Sequence, residues 1–293
     1  MSFDFTGAGV ALVTPFKKDK SIDFEALGKI VDNQVTGGMD FLVALGTTAE
    51  TSTLTEGEKK EVVDFIRTHT KGKLPLVVGM GGNDTLTMAR KMESFDPAGV
   101  DAFLVVTPFY NKPNQEGMFL HYSELAKASP LPIILYNVPT RTGVNLDAET
   151  VIRLAEASEK IVAVKEASGV LSQITRIAKY TPPGFKVLSG DDVLALPIIS
   201  IGGQGIISVI ANALPHKLSA LIHFAMTGNY NEARQSHYEL IELFRLQFQD
   251  GNPAGVKTML HYYGIAENEL RLPLVPANDL TRKMITAELQ KLS

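Results

Sequence analysis

The chain has no cysteine among its 293 residues. That excludes disulfides, a thiolate nucleophile and any cysteine-ligated metal. It has no block of like charge either. Its 28 basic and 32 acidic side chains leave a net charge of −4, so neither nucleic acid nor an anionic membrane is an expected partner. No apolar run is long enough to span a bilayer. Met1-Ser2-Phe3-Asp4-Phe5 shows no basic region followed by an apolar stretch, so no signal peptide is expected. These absences predict a soluble, cytoplasmic protein. What is abundant is apolar surface. A hydrophobic content of 45% suffices for a large core, in one big domain or in a big domain with an appendage.

Short apolar segments alternate with helical ones. Gly9–Phe16, Phe41–Leu45, Leu76–Gly79, Ala102–Val106, Pro132–Tyr136, Ile161–Lys165, Phe185–Leu188 and Gly205–Val209 read as strands buried on both faces. Between them, Phe24, Leu27, Val31 and Val35 share one helical face, and Thr55 with Glu58 has capping-box spacing. Asn83 or Asp84 can cap the helix that carries Leu86 and Met92. Some eight strand–helix units in roughly 225 residues predict an α/β fold, a (β/α)8 TIM barrel. A doubly wound sheet is the alternative, but Thr14-Pro15-Phe16 after the first strand is no phosphate loop. From about Asn229 the strand signal stops. Helices are expected over 232–248, 253–263 and 278–292, giving a catalytic barrel at 1–225 and a helical C-terminal appendage at 226–293.

In such a barrel the chemistry sits at the C-terminal ends of the strands. The residues there are Thr14, Thr47, Thr48, Tyr110, Tyr136, Arg141, Lys165, Gly190 and Ile207. Lys165 ends the strand Ile161-Val162-Ala163-Val164. A buried ammonium is costly, so such a lysine is paired, snorkels to solvent, or is kept for its chemistry. A desolvated amine releases its proton more readily, and the free amine condenses with a carbonyl to form a Schiff base. With a 2-oxo acid, the protonated imine acts as an electron sink and an enamine forms. Tyr136 can carry the protons, relayed by Thr47 and a second tyrosine. The N–H groups at Thr47 and Thr48 suit one carboxylate, and Arg141 suits another. Taken singly, each has an ordinary explanation: a packing tyrosine, a turn hydroxyl, a surface arginine. Taken together at strand ends, the ordinary explanations need several coincidences. His69, His121, His216, His223, His237 and His261 fall on predicted helices without metal-binding spacing, so neither a metal nor a cofactor is expected.

Five motifs carry a resemblance. They are Gly46-Thr47-Thr48-Ala49-Glu50, Tyr110-Asn111-Lys112-Pro113, Tyr136-Asn137-Val138-Pro139-Thr140-Arg141-Thr142-Gly143, Val164-Lys165-Glu166-Ala167 and Gly202-Gly203-Gln204-Gly205. As a set and in this order, the chain resembles the dihydrodipicolinate synthase and N-acetylneuraminate lyase family of pyruvate-dependent class I aldolases. The resemblance implies a lyase of lysine and diaminopimelate biosynthesis. It implies that Lys165 forms the Schiff base with pyruvate. It implies that Tyr136, Thr47 and Tyr110 form the proton relay, with Tyr110 supplied by a neighbouring subunit. Thr47, Thr48 and Ile207 would contact pyruvate, with Gly190 beside the substrates. Arg141 would hold the carboxylate of L-aspartate 4-semialdehyde, and the assembly would be a homotetramer built from two tight dimers. Arg141 separates this reading from a neuraminate lyase or a 2-keto-3-deoxy sugar acid aldolase, whose acceptors are polyols.

The sequence departs from the family pattern in places. Ala49 stands where most members have glycine, which asks for a backbone open to a Cβ or a shifted loop. Gln204 replaces a residue that is often histidine, with no expected loss of chemistry. The positions matching the family's lysine-feedback site are Thr51, Ser52, Glu56, Lys59, Asn83 and Phe109. Lysine-sensitive members carry a tyrosine where Phe109 stands, so weak or absent inhibition by lysine is expected.

Overall fold

The computed structural model describes residues 4–292. In chain order the elements are β1 (Gly7–Ala11), α1 (Phe24–Thr36), β2 (Phe41–Ala44), α2 (Glu56–Thr70), β3 (Leu76–Met80), α3 (Thr85–Glu93), β4 (Ala102–Val106) and α4 (Gln115–Ala128). Then come β5 (Ile133–Asn137), α5 (Pro139–Thr142), α6 (Ala148–Ala157), β6 (Ile161–Glu166), α7 (Leu171–Tyr180), β7 (Lys186–Ser189), α8 (Ala195–Ser200), β8 (Gly205–Ser208) and α9 (Pro215–Met226). Three further helices follow: α10 (Tyr230–Gln249), α11 (Ala254–Tyr262) and α12 (Asp279–Gln290). The eight strands are parallel and close into a barrel, β1 pairing with β2 on one side and with β8 on the other. The expected TIM barrel with C-terminal helices is therefore the observed fold.

Alternation along the strands produces two layers of core. Ala11, Val43, Val77, Leu104, Ile134, Tyr136, Ala163, Leu188 and Ile207 fill the barrel interior. The other strand face packs against the helices through residues such as Leu42, Val78, Phe103, Leu135 and Val164. That outer core runs on without a break into Leu240, Leu243, Phe244 and Val256 of α10 and α11. The predicted helix start at Thr55 is a complete capping box with Glu58, and Asp84, not Asn83, caps α3.

β1 starts earlier than the apolar run suggests and stops at Ala11. The Asn212 side chain explains the end: its Oδ1 accepts from Val13 N (3.0 Å) and its Nδ2 donates to Ala11 O (2.8 Å), taking the place of a neighbouring strand. The short α5 and the helix α7 were not foreseen. In α7 only Ile174 and Ile177 are buried, so its apolar stripe is thin. No helix among the described residues is long and apolar enough to cross a membrane.

Candidate active site

Lys165 belongs to the barrel-facing set of β6, with Ala163 two residues before it. It is only 4% exposed. Among the described residues its ammonium has no hydrogen-bond or ion-pair partner. Its neighbour is Tyr136 on β5, the residue directly opposite it in the strand register, with the ring centroid 4.5 Å from Nζ. A third residue makes room. A Cβ on Gly190 would stand 3.2 Å from Lys165 Cε and 2.7 Å from Ala167 Cβ, so a side chain there would press on the lysine.

The next pair in the same register, Asn137 and Glu166, points to the opposite side of the sheet. Asn137 Nδ2 donates to Glu166 Oε1 (3.0 Å), and Gln173 Nε2 donates to Oε2 (2.9 Å). Ser168 N donates to Oε1 (2.9 Å). Burial raises the Glu166 carboxyl above the usual glutamate range, against these hydrogen bonds, which lower it. The network locks β5 to β6 behind the Tyr136–Lys165 pair. Nothing in the apolar pattern announces it.

Thr47 and Thr48 lie in a 3₁₀ turn, Thr47–Ala49, that follows β2. Thr48 is buried and its hydroxyl accepts from Asn252 Nδ2 (3.0 Å). Thr14, at the end of the first strand segment, donates its hydroxyl to Ala49 O (2.8 Å). Ala49 is buried but is not one of the left-handed residues of the loop, which are Leu45 (φ 55°) and Glu50 (φ 54°). An alanine therefore fits where the family usually has glycine. Gln204, the other departure, is absorbed at the opposite end of the barrel, where its Oε1 accepts from Val187 N (2.8 Å).

Ile207 is buried in the barrel interior on β8. The chain just after it is held by Asp192, which accepts from Val209 N (3.1 Å), Ile210 N (3.2 Å), the Ser208 hydroxyl and Gln247 Nε2 (2.8 Å). Arg141 sits in the last turn of α5, exposed, and its guanidinium has no partner among the described residues. Tyr110 is different. It stands 85% exposed in the β4–α4 loop with a left-handed backbone (φ 71°).

One barrel end thus carries an unpaired buried amine beside a phenol, a turn of two threonines, and a free guanidinium on the rim. Among the described residues no group of three or more histidine, aspartate and glutamate side chains is arranged to hold a metal. The expected site contained no residue of the C-terminal helices. The structure brings Lys257 of α11, with Asn252 and Arg271 from the connections on either side of that helix, to the Thr47–Glu50 loop. A lysine inside the apolar stretch Pro253–Leu260 was the one available signal.

The fold and this end of it define a (β/α)8 barrel enzyme. The sequence matches the Dihydrodipicolinate synthetase family over residues 4–292, and the chain belongs to that family. It is 51% identical over 287 residues to the 4-hydroxy-tetrahydrodipicolinate synthase of Parabacteroides distasonis, covering 98% of this chain and 97% of the relative. Dihydrodipicolinate synthase from Thermotoga maritima superposes with a TM-score of 0.96 at 38% identity, covering 99% of both chains. The enzyme from Cyanidioschyzon merolae, solved with lysine bound, gives a TM-score of 0.94 at 36% identity and covers 99% of this chain and 98% of that one.

Proposed function

We propose that this chain is a lyase that carries out the 4-hydroxy-tetrahydrodipicolinate synthase reaction, condensing pyruvate with L-aspartate 4-semialdehyde in lysine and diaminopimelate biosynthesis. The single observation that carries the reading is the unpaired Lys165 amine, buried against the Tyr136 ring. Lys165 Nζ attacks C2 of pyruvate, and water leaves as the imine forms. The imine nitrogen, protonated, accepts the electrons freed when a C3 proton departs. The resulting enamine carbon attacks the aldehyde, whose oxygen takes up a proton. The amine of the semialdehyde then attacks C2 and displaces Lys165, closing a six-membered ring.

Tyr136 moves these protons, with Thr47 in relay. Tyr110 completes the relay from a second copy of the chain. Its exposure and left-handed backbone suit a side chain that projects across an interface. The assembly proposed is a homotetramer, a dimer of dimers, in the cytoplasm. Thr47 and Thr48 hold the pyruvate carboxylate by backbone and hydroxyl donors, next to Ile207 and Gly190. Arg141, free of any internal partner, holds the carboxylate of the semialdehyde. A polyol acceptor offers that guanidinium nothing to pair with, which disfavours a sugar-acid aldolase. Residues 1–225 form the catalytic barrel and 226–293 an appendage that braces it.

The test is turnover of pyruvate with aspartate semialdehyde, coupled to a reductase that consumes the cyclic product. Arg141→Ala should raise the KM for the semialdehyde by about ten- to a hundredfold, the loss of a charge-assisted pair, and leave that for pyruvate nearly unchanged. An unchanged acceptor KM would contradict the role given to Arg141.

A further inference from the structure

Glu50 turns the chain out of the threonine loop. Its backbone is left-handed, a region in which a side chain needs outside support. Its N–H donates to Thr47 O (3.2 Å) and its carbonyl accepts from Thr53 N (2.9 Å), so one residue joins two successive 3₁₀ turns. The support comes from α11 and the segment that follows it. Glu50 Oε1 accepts from Lys257 Nζ (2.6 Å), and Oε2 accepts from Arg271 N (3.0 Å). Lys257 also donates to Glu269 O (2.8 Å), and its Nζ lies 4.3 Å from the centroid of the buried Phe16 ring. The Lys257 and Glu50 side chains are 1% and 0% exposed. The Arg271 guanidinium donates to Lys20 O (2.7 Å) and Thr53 O (2.9 Å) and grips both oxygens of Glu58. The loops after the first and second strand segments are thereby fastened to the segment from Lys257 to Arg271.

A buried ion pair is by itself weak evidence of a stabilising role, because desolvation opposes the pairing. Burial pushes the Lys257 ammonium down to about 8 in spite of the Glu50 carboxylate. Apolar side chains of similar size would fill the space. They would not fix the direction of a left-handed backbone that carries Thr47 and Thr48 on its near side. We infer that Glu50 and Lys257, with Arg271, are positioning residues for the Thr47–Thr48 turn, so that the C-terminal appendage sets the pyruvate-carboxylate subsite from outside the barrel. The inference rests on the assignment of Thr47 and Thr48 to that carboxylate.

The experiment is borohydride trapping of pyruvate on the enzyme across a range of pyruvate concentrations, with thermal unfolding measured alongside. It compares the wild type, Lys257→Met, and the double variant Glu50→Gln/Lys257→Met. The single variant leaves a carboxylate buried without its cation and is expected to unfold at lower temperature. The double variant removes both charges and is expected to recover wild-type unfolding. It should nevertheless need about ten- to a hundredfold more pyruvate for half-trapping, while trapping to completion at saturation. Wild-type half-trapping in the double variant would overturn the inference. A double variant that fails to fold would also overturn it, by making the pair a requirement of the fold. An untrapped wild type would strike down the pyruvate reading itself, and this inference with it.

Discussion

Tyr136 and Lys165 are register partners on adjacent parallel strands, and the lysine Nζ stands 4.5 Å from the centroid of the tyrosine ring. The ring covers the amine on a face that offers it no anion. Tyr136 also carries the hydroxyl that the proposed proton relay uses. Tyr136→Phe keeps the ring and removes the hydroxyl. We expect kcat to fall by about a hundredfold or more, while pyruvate is still trapped on Lys165 by borohydride. Steady-state turnover beside trapping separates the two effects, and an unchanged kcat would remove Tyr136 from the proton relay.

Lysine is expected to inhibit weakly or not at all. Phe109 brings no hydroxyl to the corresponding place, and the Asn83 amide is engaged with Phe109 O (3.2 Å). Glu56 is already paired with Lys59 (2.8 Å) and Lys91 (3.5 Å). Initial rates over a lysine series give the answer. Strong inhibition at micromolar lysine would contradict it.

The Glu58–Arg271 pair sets an acid limit on the same loop. The Arg271 guanidinium, helped by the Thr55 cap, lowers the Glu58 carboxyl from its ordinary 4.5 to about 2. A carboxylate with a depressed folded-state pKa stabilises the fold above its unfolded pKa. That contribution is lost as pH falls from about 4.5 towards 2. The pair is partly solvated, so on the order of 1–2 kcal/mol is at stake. Urea unfolding at pH 6 and pH 3 should show a smaller acid loss in Glu58→Gln than in the wild type. Equal losses would assign the acid sensitivity to other carboxylates.

Much of the fold was legible because parallel barrel strands are buried on both faces and read as continuous apolar runs. Ala102–Val106 is observed with the bounds its sequence suggests. The end of β1 was not legible, because it is decided by Asn212, some 200 residues away in the chain. The helix α7 was missed because only two of its residues are buried. Lys165, Tyr136 and Arg141 stood out because their side-chain chemistry is rare at strand ends. The groups behind them did not. Glu166 and Asp192 look like ordinary surface charges until the fold buries them. Tyr110 was legible as chemistry, but the fold leaves it exposed on the β4–α4 loop.

The central claim is that Lys165 is the nucleophile. The most direct measurement is peptide mass spectrometry of the protein after incubation with pyruvate and reduction by borohydride, with Lys165→Ala run in parallel. The account predicts one reduced pyruvate on the peptide that carries Lys165, and none anywhere in the variant. An adduct on another lysine, or trapping retained in Lys165→Ala, would contradict it.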